Sequence, residues 1–241
     1  MNIGILGYGK MGKSIEQIAL DRGHNIIFKS NNINNKQLSD ARDQIDVMIE
    51  FSNPLGAFNN IAFCLNHHIP IVSGTTGWLD KLIEAQELCD KHNGSFVYST
   101  NFSVGMNIMF MINHLTSKTI DHTKYNIDIQ ETHHIEKKDT PSGTAITIAN
   151  TICANTNKLN SWESINMKIK KTNTDTIPIL SKREEGNKGE HHVKYVSNHD
   201  EIKISHKSLN RNGFAEGAII AAEFIQFKTG YYTMSDIIKT L

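Results

Sequence analysis

Cysteine is scarce in this 241-residue chain, and the three present, Cys64, Cys89 and Cys153, are odd in number and far apart. That excludes the disulfide framework of a small secreted fold and fits a reducing, cytoplasmic setting. Net charge is also missing, since Lys plus Arg and Asp plus Glu number 25 each. Without a global basic field, nucleic acid is not an expected partner, and attraction for a small anion has to be local. Long apolar runs are absent as well. The one that opens the chain, residues 1–6, is far too short for a signal peptide or a membrane span, so no membrane partner is expected. No internal repeat stands out. The length leaves room for one large or two modest domains with a sizeable core.

What the chain does have starts at once. Residues 1–6 read as a buried strand, and Gly7, Gly9 and Gly12 match GxGxxG ahead of an amphipathic stretch, 11–22, that stops at Gly23. Strand, glycine turn and helix form the context a dinucleotide fingerprint needs. Further strands are predicted at 24–29, 46–51, 70–73 and 95–100, with helices at 55–67 and 80–92. Such alternation predicts an α/β fold with a doubly wound parallel sheet, a Rossmann domain, which binds ligands at the carboxyl ends of its strands. Phe51, Ser52 and Asn53, then Gly74 to Gly77, then Asn101, Phe102 and Ser103 fall at such ends. They suit the lining of a cofactor crevice, although each alone is an ordinary turn. An acidic residue about 20 positions past the fingerprint would favour NAD. Lys29, Ser30, Asn31 and Asn32 stand there instead. A cation and a hydroxyl match a 2′-phosphate, so NADPH is expected to serve at least as well as NADH; the alternative is a surface lysine with no cofactor contact.

A denser cluster occupies residues 131–145, ETHHIEKKDTPSGTA. Tyr125, Ile127 and Ile129 alternate with polar residues, which predicts a half-buried strand ending near His133. Pro141, Ser142 and Gly143 break the chain, and 144–155 carries apolar residues at helical spacing. The N–H groups at that helix start, aided by the macrodipole, can hold a carboxylate, and Gly143 permits close approach. Imidazole can give a proton near neutral pH, and Lys137 can steady developing negative charge. A solvated loop explains any one of these residues. The constellation as a whole points to a pocket for a small dianion.

A domain boundary is expected near Ser103, with 1–103 plus 212–241 binding dinucleotide and 104–211 forming an α+β substrate and oligomerisation domain on a mixed sheet. Its strands are predicted at 125–133, 166–171, 191–197 and 201–207, and 182–189 reads as a mobile loop. A helix at 104–118 leads in, and helices at 213–228 and 235–241 return to the first domain. No metal is expected: His191 and His192 are strand neighbours that cannot share an ion, and Cys64 with His68 lacks further ligands. Arg183 and Arg211 could approach substrate or cofactor, but each reads more readily as a surface or interface residue.

Taken together these residues resemble the 4-hydroxy-tetrahydrodipicolinate (dihydrodipicolinate) reductase family. Its signature, approximately E-I-x-E-x-H-x-x-x-K-x-D-x-P-S-G-T-A, is met by Ile129, Glu131, His133, Lys137, Asp139 and Pro141 to Ala145, with Asp128 replacing the first Glu. GTTG at Gly74, NFSVG at Asn101, GEH at Gly189 and SHKSLNRNGFAEGA at Ser205 are also similar to that family, so the likeness spans nearly the whole chain. The resemblance implies NADPH or NADH as cofactor, a small dicarboxylate substrate and a homotetramer. It implies His133 as proton donor, Lys137 as its catalytic partner, His134 as a substrate contact and Ser142, Gly143 and Thr144 as a carboxylate cradle. On the cofactor side it implies Gly7, Tyr8, Gly9, Lys10, Met11 and Gly12 at the pyrophosphate and Lys29 with Ser30 at the adenosine ribose. Gly74, Thr75, Thr76, Thr100, Asn101 and Phe102 would line the nicotinamide side, with Phe51 and Ser52 elsewhere in the cofactor crevice. Two alternatives stay open: another NAD(P)-dependent dehydrogenase of an amino or oxo acid, separable by assay, and a dinucleotide-sensing protein without catalysis, against which His133 and Lys137 argue.

Overall fold

The computed structural model describes residues 1–31, 38, 41–120, 122–165, 175–210 and 212–241. They form two compact units, Met1–Val104 with Asn212–Leu241, and Gly105–Arg211.

The first unit is built on six parallel strands: β1 (Asn2–Leu6), β2 (Asn25–Ser30), β3 (Val47–Glu50), β4 (Ile71–Ser73), β5 (Ser95–Tyr98) and β11 (Gly230–Tyr232). Their order is β11-β5-β4-β3-β1-β2. Period-two alternation sends Ile3, Ile5, Val47, Ile49, Val72 and Val97 into one core with helices α1 (Lys10–Asp21), α6 (Asn212–Ile225) and α7 (Met234–Ile238). Leu6, Met48, Ile71 and Phe96 enter a second core with α2 (Pro54–Asn66) and α3 (Leu82–Lys91) on the other face. Helices on both faces of a parallel sheet make this a doubly wound, Rossmann-like fold. Strand order reverses direction between β1 and β3, which makes the carboxyl ends of those two strands the switch point where ligands bind. The sequence reading found five of these strands. It missed β11, whose three residues are too few to show a period.

The second unit carries a mixed sheet of order β10-β9-β6-β8-β7. Its strands are β6 (Asn126–His133), β7 (Ser161–Ile165), β8 (Thr176–Arg183), β9 (Glu190–Val196) and β10 (Glu201–Lys207). β9 and β10 run antiparallel, while β6, β8 and β7 run parallel. One face buries Ile127, Ile129, Ile177, Ile179, Val193 and Tyr195 against helices α4 (Val104–Thr119) and α5 (Gly143–Cys153). The buried Tyr195 hydroxyl is satisfied by donating to Asn113 Oδ1 at 2.8 Å. One expectation of this unit needs correction. β8 has no counterpart in the expected strands, because Pro178, its third residue, argues against an interior strand, and it extends to Arg183, into the stretch expected as a loop. β7 occupies Ser161–Ile165, and the strand expected at 166–171 lies outside the described residues.

Candidate active site

At the switch point of the first unit the chain turns tightly. Gly7 has φ +93°, and a Cβ there would fall 2.0 Å from the Phe51 carbonyl oxygen, so only glycine lets the β1 turn lie against the end of β3. Gly12 sits where a Cβ would meet the Gly7 carbonyl at 2.5 Å, which draws α1 onto the turn. Gly9 caps α1 with open space around it, leaving backbone approachable at the positive helix end. Tyr8 and Lys10 flank it. A cavity of about 260 Å³ beside the turn is lined by Met11, Phe51, Ser52, Pro54, Gly74, Thr75 and Thr76.

Beneath that cavity lies a carboxylate that motif reading did not single out. Glu50 is fully buried and accepts from Ser73 Oγ at 2.6 Å and Thr75 Oγ1 at 2.8 Å, and from the Ser52 hydroxyl. The Ser52 and Thr75 hydroxyls are thus engaged with Glu50 while the two residues line the cavity. Phe102 is 2 % exposed, with its ring packed 5.6 Å from that of Phe51 and its carbonyl against Gly217, so its ring is core. Asn101 Oδ1 accepts from Ser103 N at 3.0 Å and Thr100 is exposed. At the end of β2, Gly7 N donates to the Ser30 carbonyl at 2.8 Å. Lys29 is not a free cation there. Its Nζ pairs with Glu16 at 2.8 Å and lies 4.7 Å over the Tyr8 ring, whose hydroxyl also donates to Glu16. These contacts with Lys29 and Tyr8 hold the Glu16 carboxyl below its ordinary range.

The second unit concentrates polar groups at one end of its helix-covered sheet face. Glu131 and His133 follow Ile127 and Ile129 on the same face of β6, since side chains two apart point the same way. Register then places Ser181 and Arg183 beside them on β8 and His191 opposite Glu131 on β9. Glu131 has no exposure; its Oε2 meets His133 Nδ1 directly and its Oε1 accepts from Arg183 Nη1 at 3.1 Å. Burial alone would raise the Glu131 carboxyl, but the contacts with His133 and Arg183 bring it down to about 2. His191 is buried, its ring 5.1 Å from that of His133, and its Nε2 lies 3.2 Å from Ser142 Oγ. Burial, with His133 alongside, pushes His191 down to about 3, so it is neutral at physiological pH.

Ser142 is the N-cap of α5, accepting from Ala145 N at 3.2 Å, and Gly143 next to it is exposed with open space around its Cα. Thr144 follows in the first turn. The strand ends at His133, after which His134 turns partly to solvent, and Lys137 pairs with Asp139 at 2.9 Å. Glu131, His133 and His191 bring possible ligand atoms within 4.8 Å of one another. Direct Glu131–His133 contact and the guanidinium on the same carboxylate suit proton handling; a cation would have to displace both.

Arg183 corrects an expectation. It is a staple within its own unit rather than a loose surface side chain, donating to the carbonyls of Lys182 at 2.7 Å and Asp139 at 2.7 Å as well as to Glu131. Arg211 lies outside the described residues. Glu131 was within reach of sequence reasoning, because two positions before His133 on a strand means the same face. Arg183 was not, because recognising it requires β8. Cys64 is core and His68 falls past the end of α2 at φ +56°, so the two share no helix face.

A glycine turn at the switch point of a parallel sheet, with a second unit bearing a buried carboxylate–imidazole pair beside a helix start, defines an oxidoreductase of Rossmann type. Models of dihydrodipicolinate reductase match residues 1–102 (N-terminus) and 105–238 (C-terminus). The chain belongs to that family. The 4-hydroxy-tetrahydrodipicolinate reductase of Christiangramia forsetii is 46% identical over 243 residues, covering 100% of this chain and 99% of that one. Its counterpart in Rickettsia bellii is 35% identical, covering 100% and 96%. Among solved structures, the dipicolinate-bound dihydrodipicolinate reductase from Paenisporosarcina sp. TG-14 shares the fold with a TM-score of 0.80 at 20% identity over 97% of each chain. An amine dehydrogenase from Mycobacterium smegmatis shares it with a TM-score of 0.64 at 10% identity over 98% and 95%. No helix among the described residues is long and apolar enough to cross a membrane.

Proposed function

We propose that this chain reduces 4-hydroxy-tetrahydrodipicolinate to tetrahydrodipicolinate with loss of water, in diaminopimelate and lysine biosynthesis, using NADPH at least as well as NADH. The relatives' names supply the substrate. The observation that carries the reading is the continuous contact from Glu131 through His133 and His191 to Ser142, which puts an acid–base imidazole and an anion-binding helix start in one cluster.

The cofactor would lie with its pyrophosphate on Gly7 to Gly12 and its adenosine ribose by Lys29 and Ser30. The open backbone at Gly9 fits such a group. Gly74, Thr75, Thr76, Thr100, Asn101 and the Phe102 backbone would form its nicotinamide side, with Phe51 and Ser52 elsewhere in the crevice. When bound, it supplies hydride to the substrate. In the second unit, one substrate carboxylate would be met by Gly143 and Thr144 at the positive end of α5, the other by His134 and Lys137. Loss of the 4-hydroxyl with a neighbouring ring proton, as water, leaves a double bond conjugated to the imine. As hydride adds to its far carbon, negative charge develops on the imine nitrogen and adjoining carbon, and His133 would donate the proton that the adjoining carbon gains. Lys137 would stabilise the same charge. A first unit for cofactor and a second for substrate and assembly, a cytoplasmic setting and a homotetramer belong to the same proposal; the family resemblance and three free cysteines support them.

Coupling freshly generated substrate to nicotinamide oxidation tests the reading. Both cofactors are expected to be consumed, NADPH at least as efficiently. No consumption with either, in a folded preparation, would refute the activity, and a strong NADH preference would refute the cofactor assignment.

A further inference from the structure

We propose that Glu131 is the positioning residue for His133, fixing the Nδ1 proton on its buried carboxylate so that Nε2 is the nitrogen presented to substrate. The two oxygens of Glu131 are divided between two partners. Oε2 meets His133 Nδ1, and Oε1 accepts from Arg183 Nη1 at 3.1 Å. The same guanidinium donates to the Lys137 carbonyl at 3.3 Å, the Asp139 carbonyl at 2.7 Å and Thr140 Oγ1 at 2.8 Å. One cation therefore holds both the carboxylate behind His133 and the loop that carries Lys137.

Strand geometry brings these groups within reach of one another. Residues two apart on β6 share a face, and parallel pairing sets Arg183 opposite His133. On the other side of the ring stands Gly189, at φ +127°, where a Cβ would come within 3.2 Å of His133 Nε2. Glycine keeps that nitrogen uncrowded. A neutral imidazole carries one N–H, and an acceptor at Nδ1 decides which nitrogen has it. An ionised carboxylate behind the ring also stabilises the imidazolium that a proton donor must be.

The inference rests on the reading of His133 as proton donor, and its test separates the two. In the full-length chain with 15N-labelled histidine, the His133 ring signals are assigned by their loss in His133→Gln. In the neutral form of the ring, recognised by its own 15N shifts, the proton is expected on Nδ1. In Glu131→Gln, whose amide can donate to Nδ1, the proton is expected to move to Nε2. Turnover should fall roughly 100-fold with KM within about threefold, and Glu131→Asp, which keeps the charge, should recover part of the loss. A wild-type ring protonated on Nε2 overturns the inference, as does a folded Glu131→Gln variant with wild-type turnover. If Glu131→Gln does not fold, the wild-type spectrum decides alone. An active His133→Gln variant would instead remove the underlying reading, whatever the tautomer.

Discussion

Single residues decide the cofactor end. On the proposed cofactor placement a 2′-phosphate would arrive at Lys29, which is already paired with Glu16, and the Tyr8 hydroxyl donates to the same carboxylate. An incoming phosphate must share the lysine with a carboxylate of its own sign. Removing that charge while keeping the shape, in Glu16→Gln, should raise kcat/KM for NADPH relative to NADH by roughly fivefold, the size of one partly screened charge interaction. Steady-state kinetics with each cofactor would check this, and an unchanged ratio would place the phosphate elsewhere. Lys29 was legible from its distance past the glycine turn. Glu16 was not, since a residue in the second turn of α1 meets the end of β2 only once the helix has packed.

Elements place the second cluster. A period-two strand that ends at His133 and a PSGT turn that starts a helix were both readable, because each is written in consecutive residues. The third contributor, β8, was hidden by Pro178 and by pairing across about fifty residues, so the role of Arg183 emerged only from register. The start of α5 has a separable energetic role. Ser142 caps Ala145 N and contacts His191 Nε2, so Ser142→Ala loses a cap and leaves a buried imidazole nitrogen without its partner. A loss of about 2 kcal/mol is expected, from a cap worth ~1 and an unmade buried hydrogen bond of similar size. In a chain of this length that lowers Tm by about 4–8 °C, measurable by thermal unfolding. No change would mean that the cap is not formed in solution.

For the whole molecule, charge balance hides a strong asymmetry in how protons are held. His191 is depressed from 6.5 to about 3, so the unfolded chain takes up its proton first and stability declines as pH falls from about 6.5 towards 3. Glu131 is lowered from 4.5 to about 2, so its contribution is present above pH 4.5 and lost as pH falls towards 2. Acid weakening should therefore begin above the carboxylate range, and His191→Gln should flatten the limb between about pH 6.5 and 4.5 in denaturant titrations. A limb unchanged by that substitution would show that His191 is not buried neutral. The account as a whole turns on His133 as the proton donor of a reductase, and kinetics of His133→Gln beside the unmodified chain, with substrate generated in place, test it most directly. Turnover reduced by roughly 100-fold or more at a near-constant KM is the predicted result. Turnover within about twofold of the unmodified chain would contradict it.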